Sequence, residues 1–212
     1  MNQLITIKDQ MLNQFYNLSC YEEFEMRCAL TGISKVDILK EFDHKVNDYY
    51  FFISNDGIFN WYDLEGNHIE NPGVLKELED RHIPKTITKC IIPSSVTSIG
   101  YMVFWDCNSL KEIVIPNSVT NIDSRAFAYC ESLTSITIPD SVTMIGHSAF
   151  SHCKSLTSIT IPNYVTGIGI DVFFDCTSLK EVIFKGKTLE QVKQMKYYPF
   201  GIKDESIIKC EI

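Results

Sequence analysis

Eight cysteines and five histidines carry most of the reactive chemistry available to this chain. Four of the cysteines, Cys107, Cys130, Cys153 and Cys176, recur at a step of 23 residues. Such a column allows a metal ladder, a disulfide ladder or packed thiols. Tetrahedral zinc needs Cys and His gathered in close pairs, which this spacing does not supply. Disulfides need an oxidising compartment, and the opening "MNQLITIKDQML" lacks the basic start and apolar run of a secretory signal. Packed, reduced thiols are therefore expected. A second set, Cys20 and Cys28 with His44, His68 and His82, contains the residue types of a Cys–His nucleophile pair. Core thiols and surface histidines are the plainer reading. "DLEGN" at 63–67 has carboxylate and amide oxygens but not the spacing of a calcium loop, and reads as a turn. There is no phosphate loop, H-E-x-x-H or G-x-S-x-G. No catalytic residue, metal or cofactor is expected.

The thiol column belongs to a longer repeated sentence. Ile-Pro pairs begin at Ile92, Ile115, Ile138 and Ile161, and Phe104, Phe127, Phe150 and Phe173 keep the same 23-residue step. So do Leu110, Leu133, Leu156 and Leu179. A fixed period with apolar anchors is the signature of a solenoid, in which stacked units bury one another's apolar sides. "SLTSITIP" alternates, sending Ile136 and Ile138 inward and Ser135 and Thr137 outward, and Pro139 ends the pairing. Stacked in register, these strands form a parallel sheet. Val142–Ile145 returns along the opposite side. Gly100, Gly146 and Gly169 recur at one corner, with Asp123 in the second unit, and read as a site of left-handed or tight backbone.

Cys-x-x-Leu-x-x-Ile-x-Ile-Pro with Ile-Gly/Asp-x-x-Ala-Phe resembles the BspA-like class of leucine-rich repeats over residues 83–184. Val103 and Val172 depart from the Ala of Ala126 and Ala149. The resemblance implies a short curved solenoid that binds macromolecules and does not catalyse. The ending, "YYPFGIKDESIIKCEI", resembles C-terminal segments of leucine-rich-repeat proteins encoded by bacteriophages of gut bacteria.

Three regions follow. Residues 1–82 form an N-terminal α+β cap domain. Ser19-x-x-Glu22 and Ser34-x-x-Asp37 open two helices, Asn55-Asp56-Gly57 turns a β-hairpin, and 74–81 has apolar residues at helical spacing. Residues 83–187 form the leucine-rich-repeat solenoid, a short curved parallel sheet of about five strands, with Ile87 and Cys90 one period before Leu110 and Ile113. Residues 188–212 form a C-terminal cap with a short helix and a strand-like tail.

A formal charge of −8, with 9 basic and 15 acidic side chains in residues 1–91 and 10 and 12 in the rest, argues against nucleic acid and anionic membrane. "CALTGISKVDIL" has the outline of a helix-turn-helix, but Asp37, Glu41 and Asp43 do not suit a DNA reader. Apolar runs interrupted by Pro, Gly, Ser and Thr are too short to span a bilayer.

What varies on the constant frame points to function. Outward columns of the sheet read Lys89, Glu112, Ser135, Ser158, Glu181 and Ile91, Val114, Thr137, Thr160, Ile183. Only two units carry the hydroxyls an ice-binding array would need. The positions before each Cys read Trp105-Asp106, Ala128-Tyr129, Ser151-His152 and Phe174-Asp175. Aromatics that stacking does not require are expected at interfaces. The expected function is a non-catalytic protein–protein interaction module, intracellular or phage-encoded, whose partner is another protein. Its candidate surface is Trp105, Asp106, Tyr129, His152, Phe174 and Asp175, with Glu112 and Glu181. The expected location is the cytoplasm, or the host cytoplasm or virion if phage-encoded. The alternatives are a virion or cell-surface structural or adhesin component, and an enzyme with its site in residues 1–82.

Overall fold

Tyr21–Thr31 forms helix α1 and Lys35–Glu41 helix α2 in the computed structural model, which describes residues 21–41, 45–46, 49–53, 57–70, 72, 77–78, 83 and 85–212. Gly32, at φ +69°, stops α1 by turning its N–H back onto the Cys28 carbonyl, 2.9 Å away. Strands β1 (Lys45–Val46), β2 (Tyr49–Ile53), β3 (Phe59–Tyr62) and β4 (His68–Ile69) make an antiparallel sheet in that order. The expected hairpin is the β2–β3 pair, with Ile53 opposite Phe59; Asn55 and Asp56 lie outside the described residues, as does Ser19. The Asp63–Asn67 turn joins β3 to β4. Asp63 accepts from the Glu65 and Asn67 amides at 3.0 and 2.8 Å, and these bonds with the Asn67 side chain hold its carboxyl below the usual range. Phe24, Cys28, Ile38, Leu39, Phe52 and Tyr62 pack as one core cluster.

The chain divides into two compact units between Val74 and Leu75. The second is the solenoid. Its longer strands, β6 (Lys89–Ile91), β8 (Glu112–Val114), β10 (Ser135–Thr137), β12 (Ser158–Ile161) and β14 (Glu181–Lys185), run parallel. Ser135 pairs with Ser158 and Ser158 with Glu181, the 23-residue step of the sequence. Cys90, Ile113, Ile136, Ile159 and Val182 point inward and are buried, while Glu112, Ser135 and Ser158 are exposed. After each of the first four of these strands the proline carbonyl accepts from the valine three residues on, as Pro139 does from Val142 at 3.1 Å. Two-residue strands then follow on the opposite side: β5 (Glu77–Leu78), β7 (Ser98–Ile99), β9 (Asn121–Ile122), β11 (Met144–Ile145) and β13 (Gly167–Ile168).

Strand β5 corrects the helix expected over 74–81. Glu77 and Leu78 instead pair in parallel with Ser98 and Ile99, because a cross-strand partner outweighs helical spacing in so short a segment. At the other end helix α3 (Leu189–Lys193) opens with a Thr188–Gln191 capping box. Strand β15 (Ile208–Glu211) then extends the longer sheet, setting Ile208 beside Val182.

The glycine corner has a different cause from the one expected. Gly100, Gly146 and Gly169 are not among the positive-φ residues. A Cβ on Gly146 would stand 2.4 Å from the Ser124 amide nitrogen, and one on Gly169 2.5 Å from that of His147. Glycine is there because consecutive coils touch backbone to backbone. Left-handed φ occurs instead at non-glycine residues, in two columns: Met102, Arg125, Ser148, Asp171 and Asp106, Tyr129, His152, Asp175. Each such residue costs about 1 kcal/mol, and the turn geometry between them offsets it. The N–H groups of Val103, Trp105 and Cys107 close turns within their coil, whereas those of Met102, Phe104 and Asp106 reach the Ser124, Ala126 and Ala128 carbonyls of the next.

Beneath these turns Phe104, Phe127, Phe150 and Phe173 stack nearly parallel, with centroids 5.0, 5.3 and 6.1 Å apart. The Cys130, Cys153 and Cys176 thiols donate to the Phe104, Phe127 and Phe150 carbonyls of the preceding coil at 3.1, 3.2 and 3.1 Å.

Three substitutions test this packing in denaturant melts. Leu133→Asp places a charge at a fully buried position and should cost about 4 kcal/mol or more. Thr137→Asp, on the outward face, should cost about 0.5 kcal/mol. Gly146→Ala should cost about 3 kcal/mol, since the backbone it meets cannot turn aside as a side chain would. Equal losses for Leu133→Asp and Thr137→Asp would reverse the assignment of faces.

Candidate functional site

Each coil turns through a tight six-residue segment, 101–106 in the first, whose backbone is held by the cross-coil ladder. Side chains at a given offset therefore form columns. The Trp105 column continues through Ala128 and Ser151 to Phe174; the Asp106 column continues through Tyr129 and His152 to Asp175. The expected aromatic strip is therefore two columns wide. The rings still meet. Trp105 stands edge-on to Tyr129 at 6.4 Å, Tyr129 stacks on His152 at 4.3 Å, and His152 stands edge-on to Phe174 at 5.5 Å. Trp105, Tyr129 and Phe174 remain 37%, 38% and 43% exposed.

Polar groups brace the row. His152 Nδ1 lies 3.1 Å from Asp175 Oδ2, fixing the imidazole plane against Tyr129. Asp106 accepts from the Asn108 amide side chain at 2.9 Å. Lys85 donates to the Trp105 carbonyl at 2.8 Å, with its ammonium 5.9 Å from the indole centre. Glu112 and Glu181 are not gathered here. They sit on the longer strands, Glu112 on β8, where it pairs with Lys89 of β6 at 3.1 Å, and Glu181 on β14.

The row edges a slot of about 390 Å³. Ala128 and Ser151, small and buried, form its floor between Trp105 and Phe174. Opposite Tyr129 and His152 stands the left-handed column of Met102, Arg125, Ser148 and Asp171. Sequence reasoning missed that column. Its signal was a second position, two residues after the glycine corner, where type changes in every coil. A second depression of about 440 Å³, lined by Met144, His147, Gly167 and Tyr197, is mainly apolar.

The candidate nucleophiles have other occupations. Cys28 is 5% exposed and burial pushes its thiol up to about 11, the reverse of what a thiolate nucleophile needs. The His68 ring stands edge-on to Tyr62 at 5.4 Å; Cys20, His44 and His82 lie outside the described residues. Burial pushes the Cys130 and Cys153 thiols well above their ordinary range, and Cys176 up to about 12. Among the described residues no group of three or more His, Cys, Asp and Glu is placed to hold a metal ion, and no helix is long and apolar enough to cross a membrane.

Residues 83–201 match the BspA type Leucine rich repeat region in six copies. No curated protein matches the chain. Among solved structures, the Leucine Rich Repeat protein of T. pallidum superposes with a TM-score of 0.50 at 30% identity, over 57% of this chain and 60% of that one. A leucine rich cell surface protein from Faecalibacterium prausnitzii gives a TM-score of 0.55 at 26% identity, over 70% of this chain and 42% of that one. The chain thus spans less than two thirds of either protein. The repeat family and solenoid expected from the anchors are the ones found.

The thiol column yields an expected outcome. Cys107, Cys130 and Cys153 should react with a thiol reagent only after denaturation, and half-buried Cys176 before them. A raised folded pKa means the fold favours the neutral thiol, so its stabilisation is complete below the unfolded pKa of about 8.5. Stability should hold to about pH 8 and fall as pH rises from there towards the folded value. Melts at pH 7, 9 and 10 that coincide would show that the thiols ionise freely in the fold.

Proposed function

The chain belongs to the BspA-type leucine-rich repeat family, and from that premise we propose that its solenoid is a non-catalytic module that captures another protein through the Trp105–Tyr129–His152–Phe174 row. The observation that carries this reading is the exposure of three large rings at offsets that stacking leaves free, beside Phe104, Phe127, Phe150 and Phe173, which stacking uses and buries. Interface energy concentrates in such aromatics when polar groups ring them. Asp106, Asp171 and Asp175 around the row, on a chain of net charge −8, favour a protein over a nucleic acid. Among the described residues Cys28, Cys90, Cys130, Cys153, Cys176 and Cys210 form no disulfide, which supports an intracellular setting. A cell-surface role is the second reading, favoured by the Faecalibacterium prausnitzii protein described as one.

The joint substitution Trp105→Ala with Tyr129→Ala should abolish capture in a pull-down while the melting curve shifts little. Glu112→Gln, on the other face, should leave capture intact. Capture that survives the double substitution, in a protein that unfolds more easily, would make the rings core cover and move the binding surface elsewhere.

A further inference from the structure

Slot and row differ in chemistry. The row is aromatic, whereas the slot beside it holds polar groups that the protein leaves unused. Ser151 is buried as a residue, but its hydroxyl opens onto the slot and no group among the described residues bonds it. A water-facing hydroxyl that the protein leaves unpaired is a place where a ligand hydroxyl can bond in place of water. The Asp171 carboxylate and Ser148 hydroxyl, which line the same slot, also have no protein partner among the described residues. Arg125 spends one donor on the Tyr101 hydroxyl, at 3.3 Å, and keeps the rest.

We infer that the slot binds a neutral saccharide, about two pyranose rings in length. This rests on the reading that the row is the binding surface, and names what that surface recognises. The donor inventory carries the argument. Arg125 only donates, Asp171 only accepts, and Ser148 and Ser151 do both. A ligand that satisfies all four must offer donors and acceptors on adjacent atoms, as vicinal hydroxyls do. A ligand without net charge is favoured, since an anion would face Asp171 and a cation Arg125. Aromatic rings supply the other half of sugar recognition, because the C–H face of a pyranose is apolar and lies flat on an indole or phenol. Trp105 and Phe174 are three coils apart, about 14 Å at strand spacing, and the two small floor residues between them leave room for about two rings. The volume of about 390 Å³ lies within the range of small-ligand sites.

The test uses the full chain and isothermal titration, with tryptophan fluorescence as a second readout. Trp61 is 1% exposed, so a ligand-dependent change reports Trp105. The probes are neutral trisaccharides of glucose, galactose, mannose, xylose and N-acetylglucosamine, with sialyllactose and glucosamine trimer as charged counterparts. At least one neutral probe should bind saturably, and both charged ones at least ten-fold more weakly. Asp171→Asn and Ser151→Ala should each lose at least ten-fold in affinity with an unchanged melt, while Glu112→Gln binds as wild type. Failure of every neutral probe to saturate, charged probes binding as tightly, or an Asp171→Asn protein with full affinity would each overturn the inference. Pull-downs before and after enzymatic removal of glycans separate the sources. Capture lost on deglycosylation assigns a glycoprotein, and capture kept but displaced by the free sugar assigns a polysaccharide. Capture that depends on Trp105 and Tyr129 yet responds to neither treatment overturns the saccharide and leaves the protein-binding reading standing.

Discussion

On the turn side of the solenoid, alternate amides reach across to the next coil. Phe104 donates to Ala126, Phe127 to Ala149 and Phe150 to Val172, at 2.8, 2.8 and 3.0 Å. This ladder holds neighbouring coils at backbone separation, and the other constants follow from it. The corner must be glycine where a Cβ would enter the preceding coil. The phenylalanines must stack, because identical offsets at that separation leave their rings face to face. The cysteine beneath must be small, and its thiol finds the one carbonyl the coil before it presents there.

Because the backbone is committed to its neighbours, the side chains that face outward are released from structural duty. The turn segment shows how far that freedom extends. Its two left-handed columns accept Met, Arg, Ser and Asp in one and Asp, Tyr, His and Asp in the other. That range argues that the ladder, not residue type, imposes the left-handed geometry. Concavity arises in the same way. Large side chains at both ends of the Trp105–Phe174 column and small ones between them cut a slot into a rim that uniform residues would have left flat.

Each coil relies on its neighbours for burial, so the ends need a different solution. At the C-terminal end β15 lies beside β14 with Ile208 next to Val182, a step of 26 residues instead of 23. The segment before it repeats the coil geometry with unrelated residues. Tyr197 and Phe200 take left-handed φ, and Phe173 donates to the Phe200 carbonyl at 2.9 Å. A coil can thus be closed without the repeat's anchors when its backbone still meets the ladder.

The 23-residue spacing of Ile, Phe, Cys and Leu by itself determined the solenoid, its parallel register and the inward face of each strand, because a period repeated four times leaves one arrangement in which every anchor is buried. It also marked Trp105, Tyr129, His152 and Phe174 as residues that stacking does not use. Three matters were decided only in three dimensions. Glu77 and Leu78 lie in a segment of helical apolar spacing in sequence and have a strand partner in space. The glycine corner is set by the distance to the previous coil, which no local sequence contains. The slot joins residues from three columns and four coils, and its lining depends on which way the left-handed turns aim their side chains. Contacts within one period are legible from spacing. Those that depend on the separation between coils appear only once the ladder has formed.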